Sequence, residues 1–387
     1  MYKEIYLDNS ATTRPFDEVI EYIGEINKNI YGNPSSLHTK GIEAEKLVRK
    51  ARESIAGTLG VDSKEIYFTS GGTESNNLAI RGFLEANPRK GNHIITTAIE
   101  HPSVLEVFKY LAAKGYKVDY IDVDSKGLIN LEQLKARIGK ETALISLIYV
   151  NNEVGTIQPV EEIVRIKNSI NRETVIHMDA VQAYGKLAVA PKKIGIDMMS
   201  VSSHKIHGPK GVGALYVDKS VKIKPIVFGG GQETLLRSGT ENVPGICGFG
   251  LAAETVFKSL TQNYEKVTGL RQLFIKKLEE EMEDYRVLSS EESLPYIFNI
   301  SFANLKSEVL LHHLEEKNIF VSTGSACSSR KNIHSHVLRA IGLDGKYIDG
   351  AIRFSFSAWN TENDIEKTVE ALKEIVPKIQ IKRGGKR

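Results

Sequence analysis

The chain has 387 residues, 41% apolar and 26% charged, with 51 Lys plus Arg set against 48 Asp plus Glu. That length exceeds one small core and predicts two domains, or a large domain with a smaller one appended, while the composition excludes a disordered or collagen-like chain. A formal net charge of +3 gives no electrostatic case for direct nucleic-acid or membrane binding.

The longest apolar run, ALISLIYV, falls short of a membrane span, and the start, MYKEIYLDNS, lacks the apolar core of a signal peptide. A cytoplasmic protein is expected. The basic tail KIQIKRGGKR reads as a solvated terminus. Neither Cys247 nor Cys327 belongs to a CxxC pair or a Cys/His cluster, so no metal site is expected. Cys247, in VPGICGFGLAAE, has the small apolar neighbours of a packed helix start. Cys327, in VSTGSACSSR, has no such setting.

In chain order, strands are predicted at EIYFTS, HIITTAI, YKVDYIDV, TALISLIYV and TVIHMDA, alternating with helices at ESNNLAIRGFLEA, PSVLEVFKYLAAK, LEQLKARI and VEEIVRIKNSI. Strands DMMSVSS and GVGALYV follow. This alternation predicts an α/β domain with a mostly parallel seven-stranded sheet covered by helices. A long helical pattern then runs from PGICGFGLAAETVFKSL into IKKLEEEMED and is expected to link the domains. A smaller C-terminal α/β domain is predicted from strands YIFNISF, IFVST and GAIRFSFS and helices SEVLLHHLEEK, SHVLRAIG and ENDIEKTVEALKEIV. The predicted division is a large domain over 15–255 and a small one from 1–14 and 256–387.

Ligands of doubly wound sheets collect beyond the carboxyl ends of the strands. There SGGTES opens a helix and offers glycines and free N–H groups to a phosphate, although Thr73 or Ser75 could equally cap that helix. Asp179 ends TVIHMD, where a carboxylate needs a cation or donor; a protonated pyridinium nitrogen would serve, and a turn aspartate is the plain alternative. In SSHKIHGPKG, Lys205 lies between His204 and His207, a setting that lowers an amine's pKa and suits it to attack an aldehyde. An anion cradle, a carboxylate and an activated lysine in that order describe a site for pyridoxal phosphate.

The chain resembles the NifS/IscS-type cysteine desulfurases, within the class V aminotransferase group of fold-type I pyridoxal-phosphate enzymes. The resemblance is carried almost end to end by YLDNSATT, YGNPSS, TSGGTES, IEHPSV, NNEVGTIQP, HMDAVQ, SSHKIHGPKG, GGGQE, RSGTENVPG, GSACSS, HVLRAIG and IRFSFS. It implies that Lys205 bonds covalently to the cofactor aldehyde, that Asp179 pairs with the ring nitrogen and that Gln182 contacts the ring hydroxyl. His101 would stack on the ring and move protons, and Asn152 would orient cofactor and substrate. Gly72, Thr73, Ser202 and His204 would hold the phosphate, with Thr240 reaching it from the second subunit of a homodimer. Arg353 would clamp the substrate carboxylate. Cys327 would lie on a mobile loop and attack the sulfur of substrate L-cysteine as a thiolate, and nearby Arg330, Lys331 and His334 could lower its pKa.

The implied reaction releases L-alanine and leaves a persulfide on Cys327, to be passed to an acceptor protein. The sequence runs out in IVPKIQIKRGGKR, so the extended C-terminal segment with which housekeeping members dock the iron–sulfur scaffold is not expected, and an iron–sulfur assembly scaffold and a tRNA-thiolation enzyme both remain open as acceptors. Gly72 stands where relatives often have alanine, a change that should spare backbone phosphate contacts. Two other readings are kept: a selenocysteine lyase or aminotransferase with the same cofactor, and a binding protein that uses the fold without catalysis. The spacing from SAC to HVLRAIG and the joint presence of Lys205, Asp179 and Cys327 argue against them.

Overall fold

The computed structural model describes residues 4–323 and 334–380. A short first strand, β1 (Ile5–Tyr6), is followed by the strands of the main sheet. These are β2 (Ile66–Thr69), β3 (His93–Thr97), β4 (Lys117–Ile121), β5 (Thr142–Ile148), β6 (Val175–Asp179), β7 (Met198–Ser202) and β8 (Gly213–Val217). They lie in the order β2-β8-β7-β6-β5-β3-β4. The five strands from β3 to β7 run parallel, and β8 is antiparallel to both β2 and β7. The sheet is thus mostly parallel, as expected. The reversal at β8 follows from the short SHKIHGPKG connection, which has no room for the crossover that a parallel neighbour requires.

Every residue of β3, β5, β6 and β7 is buried, which matches apolar strands covered on both faces. On one side the helices Asp17–Asn29, Thr39–Leu59 and Val243–Lys258 pack together. Gly250 allows the close approach there: a Cβ at that position would come within 2.9 Å of Ala51 Cα. Two differences from the expected helices stand out. The segment Gly72–Ala86 is a helix interrupted by a π-helical turn, Leu78–Gly82. The expected long linking helix is two helices, Val243–Lys258 and Leu260–Glu281, broken at Ser259, whose φ of −115° and ψ of 16° are not helical.

Beyond these lie β9 (Tyr285–Val287), β10 (Ile297–Phe302), β11 (Ile319–Phe320), β12 (Ser322–Thr323) and β13 (Ala351–Ser355). A second sheet has the order β12-β13-β10-β9, and β11 pairs in parallel with β1. The expected strand IFVST is therefore divided between two sheets. Helices Ser307–Glu316 and Glu362–Ile379 pack alongside, and Phe274 of the Leu260–Glu281 helix meets Phe298, Phe354 and Phe356 edge-on. The stretch from Leu7 to Phe16 bridges the two sheets: Ser355 N donates to Leu7 O at 2.6 Å, and Thr13 N donates to His204 O at 2.9 Å.

Candidate active site

The carboxyl ends of the parallel strands bring most of the expected residues to one place. Asp179 is the last residue of β6 and is 3% exposed. Its Oδ2 accepts from Asn76 Nδ2 at 2.7 Å and its Oδ1 from Val181 N at 3.0 Å. Asn76 also donates to Ser103 Oγ at 2.9 Å, and Ser103 Oγ lies 2.8 Å from His101 Nδ1. His101 caps the helix Pro102–Ala113 by accepting from Ser103 N at 3.1 Å. A polar chain thus joins the β6 carboxylate to the imidazole. Burial holds His101 below the usual histidine range, opposed by Asp179 and reinforced by Lys205 and His336, which marks the ring as neutral and close to both Asp179 and Lys205.

The residues expected to hold a phosphate lie at the β2 exit and the β7 exit. Gly71 has a φ of +149°, which a side chain would strain, and it caps the helix that starts at Gly72. A Cβ on Gly213, at the start of β8, would lie 2.7 Å from Gly71 Cα, so the turn is pressed against the sheet. A Cβ on Gly72 would lie 2.7 Å from Val181 Cγ2, so glycine here lets Val181 pack on the helix start. Ser202 ends β7, and its buried Oγ has no hydrogen-bond partner among the described residues. His204 Nδ1 lies 3.2 Å from Thr12 Oγ1, and burial with three nearby lysines brings its imidazole down to about 4. Thr73 sits in the first turn of the Gly72–Asn77 helix, with its carbonyl accepting from Asn77 Nδ2 at 2.9 Å. Thr240 is exposed, just past Arg237, which pairs with Glu74 of that helix at 2.8 Å. No hydrogen bond ties Thr240 to the cradle among the described residues.

Lys205 Nζ donates to Ser10 O at 2.5 Å and to Ala11 O at 2.8 Å. Gln182 Nε2 donates to the same Ser10 carbonyl at 2.9 Å, and its Oε1 accepts from Lys186 Nζ at 3.0 Å. On β13, Arg353 is 4% exposed; Nη1 donates to Asn152 O at 2.8 Å and Nη2 to Asp8 Oδ1 at 2.8 Å. Its buried Nε has no partner among the described residues. Cys327, with Arg330 and Lys331, lies outside the described residues. His334 is described, and its Nδ1 pairs with Asp349 Oδ1 at 2.9 Å. Cys247 is the packed thiol expected: it is 3% exposed, and burial pushes it up to about 12.

Sequence reasoning missed Asn76, Ser103, Asp8, Ser10, Lys186 and Glu153. Glu153 follows Asn152; its Oε2 accepts from Ser335 Oγ at 2.5 Å, and burial raises its carboxyl to about 7. Asp8 and Ser10 lie within YLDNSATT, a matched motif that suggested no role. Only the folded chain brings them to Arg353 and Lys205.

These residues fit pyridoxal phosphate. An orphaned buried serine hydroxyl beside a glycine turn and a helix start suits a phosphate. A buried carboxylate held by two donors suits a ring nitrogen, and a lysine Nζ that donates to the Ser10 and Ala11 carbonyls suits an aldehyde.

Comparison with known proteins agrees. The model of the family "Aminotransferase class-V" matches residues 5–368. The chain is 42% identical over 381 residues to a cysteine desulfurase IscS of Dictyoglomus turgidum, covering 98% of this chain and 96% of that protein. It is 46% identical over 378 residues to a cysteine desulfurase of Nostoc sp., covering 97% and 94%. Among solved structures, one described as a NifS-like protein superposes with a TM-score of 0.92 at 42% identity, covering 97% of this chain and all of that one.

Proposed function

This chain belongs to the class-V aminotransferase family of fold-type I pyridoxal-phosphate enzymes, and from that premise we propose that it is a cysteine desulfurase that moves the sulfur of L-cysteine onto Cys327. The observation that carries the reading is the meeting of Lys205, Asp179, His101, Gln182 and Arg353 at one end of the sheet, in a chain matched nearly end to end by cysteine desulfurases.

Asp179 would pair with the ring nitrogen of pyridoxal phosphate, Gln182 would meet the ring oxygen, and the His101 imidazole would stack on the ring. Gly72, Thr73, Ser202 and His204 would hold its phosphate, and Thr240 would be supplied to that cradle by the second subunit of a homodimer. Its exposure here is consistent with a partner's site. Bound pyridoxal phosphate supplies an electron sink that eases loss of the substrate's α-proton and cleavage of its carbon–sulfur bond. Arg353 holds the substrate carboxylate, with Asn152 beside it. Lys205 Nζ takes the α-proton, and the neutral His101, kept so by burial, moves protons at the reacting carbons. The Cys327 thiolate attacks the substrate sulfur; the carbon–sulfur bond breaks, the carbon is protonated, and L-alanine leaves. Substrate and thiol together balance as L-alanine and a Cys327 persulfide.

The persulfide sulfur then passes to an acceptor protein, either an iron–sulfur assembly scaffold or a tRNA-thiolation enzyme. We take the enzyme to act in the cytoplasm, where Cys327 would be kept reduced. Among the described residues no helix is long and apolar enough to cross a membrane. The division into a large cofactor-binding domain, 15–255, and a small one draws support from the main sheet lying within 66–217 and from β1 pairing with β11.

The test is product analysis. Purified enzyme with L-cysteine and a thiol reductant should release alanine and sulfide in equal amounts. Pyruvate in place of alanine, or a faster reaction with selenocysteine or an amino-group acceptor, would overturn the assignment in favour of a lyase or transaminase.

A further inference from the structure

We propose that Lys186 is a positioning residue that acts through the Gln182 amide to present a hydrogen-bond donor to the cofactor's ring oxygen; this rests on the pyridoxal-phosphate reading above. Lys186 is 5% exposed, and its Nζ lies 3.0 Å from Gln182 Oε1 and 5.8 Å from the centre of the Tyr296 ring. Lys186 Nζ donates to the amide oxygen, which turns Nε2 the other way. That Nε2 reaches Ser10 O at 2.9 Å, the carbonyl that also accepts from Lys205 Nζ at 2.5 Å. The donor face of Gln182 is thereby set beside the amine that bonds the cofactor aldehyde, and in pyridoxal the ring oxygen is the aldehyde's immediate neighbour. A flip of the amide is opposed on one side by Ser10 O, which can only accept, and on the other by Lys186 Nζ, so without Lys186 one of the two restraints that keep an oxygen from meeting the ring oxygen is lost.

The electrostatic setting supports the same role. The charged groups that act on Lys186 are Lys205 and Arg353, with His204 and His207 feeling its field in turn. Burial, then those two like charges, lowers its amine to about 7. A buried amine facing cations weakens the fold, so stability does not account for its place. A phosphate and a ring oxyanion bound nearby would restore its charge, and by linkage the charge would strengthen their binding.

The test uses the holoenzyme and the spectrum of its bound cofactor. Lys186→Met should move the pH midpoint of the visible absorption change upward by about half a pH unit or more, because a positive charge that favours the ring oxyanion is gone. Cofactor retention on dialysis should weaken several-fold. In a Gln182→Leu background the same substitution should add little further loss of cofactor retention, since the two act as one unit in holding it. Lys186→Gln, which keeps a donor without a charge, is the second variant: it should retain cofactor better than Lys186→Met and still shift the midpoint. Midpoint and retention unchanged in both variants would overturn the proposal, as would an equal loss of retention with and without Gln182. A wild type that bound no pyridoxal phosphate would instead overturn the functional reading itself.

Discussion

Replacing Arg353 by lysine tests how the substrate carboxylate is held. The guanidinium makes two fixed bonds of 2.8 Å, to Asn152 O and to Asp8 Oδ1, and keeps a buried Nε without a partner among the described residues. A planar fork can keep those two anchors and still offer donors to a carboxylate, whereas an ammonium on a shorter reach cannot serve all three acceptors. A lost charge-assisted bond to a buried partner is worth about 1.5–3 kcal/mol, or roughly 10- to 100-fold in affinity. Arg353→Lys should therefore raise KM for L-cysteine by about that factor, with kcat within a few-fold of wild type and cofactor content unchanged. The assay is steady-state alanine release, with the absorbance of bound cofactor as the control. If KM stays the same while thermal stability falls, Arg353 is a strut between Asp8 and Asn152 and does not bind substrate.

Asp179→Asn keeps the size of the side chain and removes the charge offered to the ring nitrogen. Turnover should fall by about a hundredfold or more with cofactor still bound, and unchanged kcat would remove Asp179 from the ring-nitrogen role. Glu153, raised by burial to about 7, makes the folded chain bind more protons than the unfolded one between about 4.5 and 7, so it weakens the fold as pH rises through that window. Glu153→Gln should gain about 2 kcal/mol over wild type between pH 5 and pH 8 in denaturant titrations, and a parallel pH dependence in the two proteins would contradict this. His177, fully buried between Ser146 Oγ and Ser200 Oγ at 2.9 Å each, is depressed by burial to about 3. The folded state therefore loses stability as pH falls below about 6.5, by about 2 kcal/mol from this residue by pH 5. His177→Gln should flatten that decline, and an equally steep decline in the variant would refute the assignment.

Most strands of the main sheet were legible because buried parallel strands read as unbroken apolar runs, and Lys205, Asp179 and Ser202 were legible as polar residues at their carboxyl ends. The helix Asp17–Asn29 carried a usable signal in Val19, Tyr22, Ile23 and Ile26, spaced for one helical face, although it was not among the predicted elements. Strand β9 carried none: Tyr285, Arg286 and Val287 are largely exposed, and their conformation comes from pairing with β10. Pairings such as Arg353 with Asp8, or Lys205 with Ser10 O, join residues nearly a chain length or half a chain apart, so local pattern held no trace of them. Asn76 hid differently, since its helical position in SGGTESNN looked like any polar face until the strand beside it supplied Asp179.

The central claim is that Cys327 receives the sulfur, and the most direct measurement is the mass of the peptide that contains it. Holoenzyme exposed to L-cysteine without reductant, then trapped with an alkylating agent and digested, should show one added sulfur on Cys327, with one alanine released per site. Cys327→Ala, at matched cofactor content, should keep its yellow colour and release little alanine or sulfide. An unmodified Cys327 peptide, together with a Cys327→Ala enzyme that turns over like the wild type, would contradict the account.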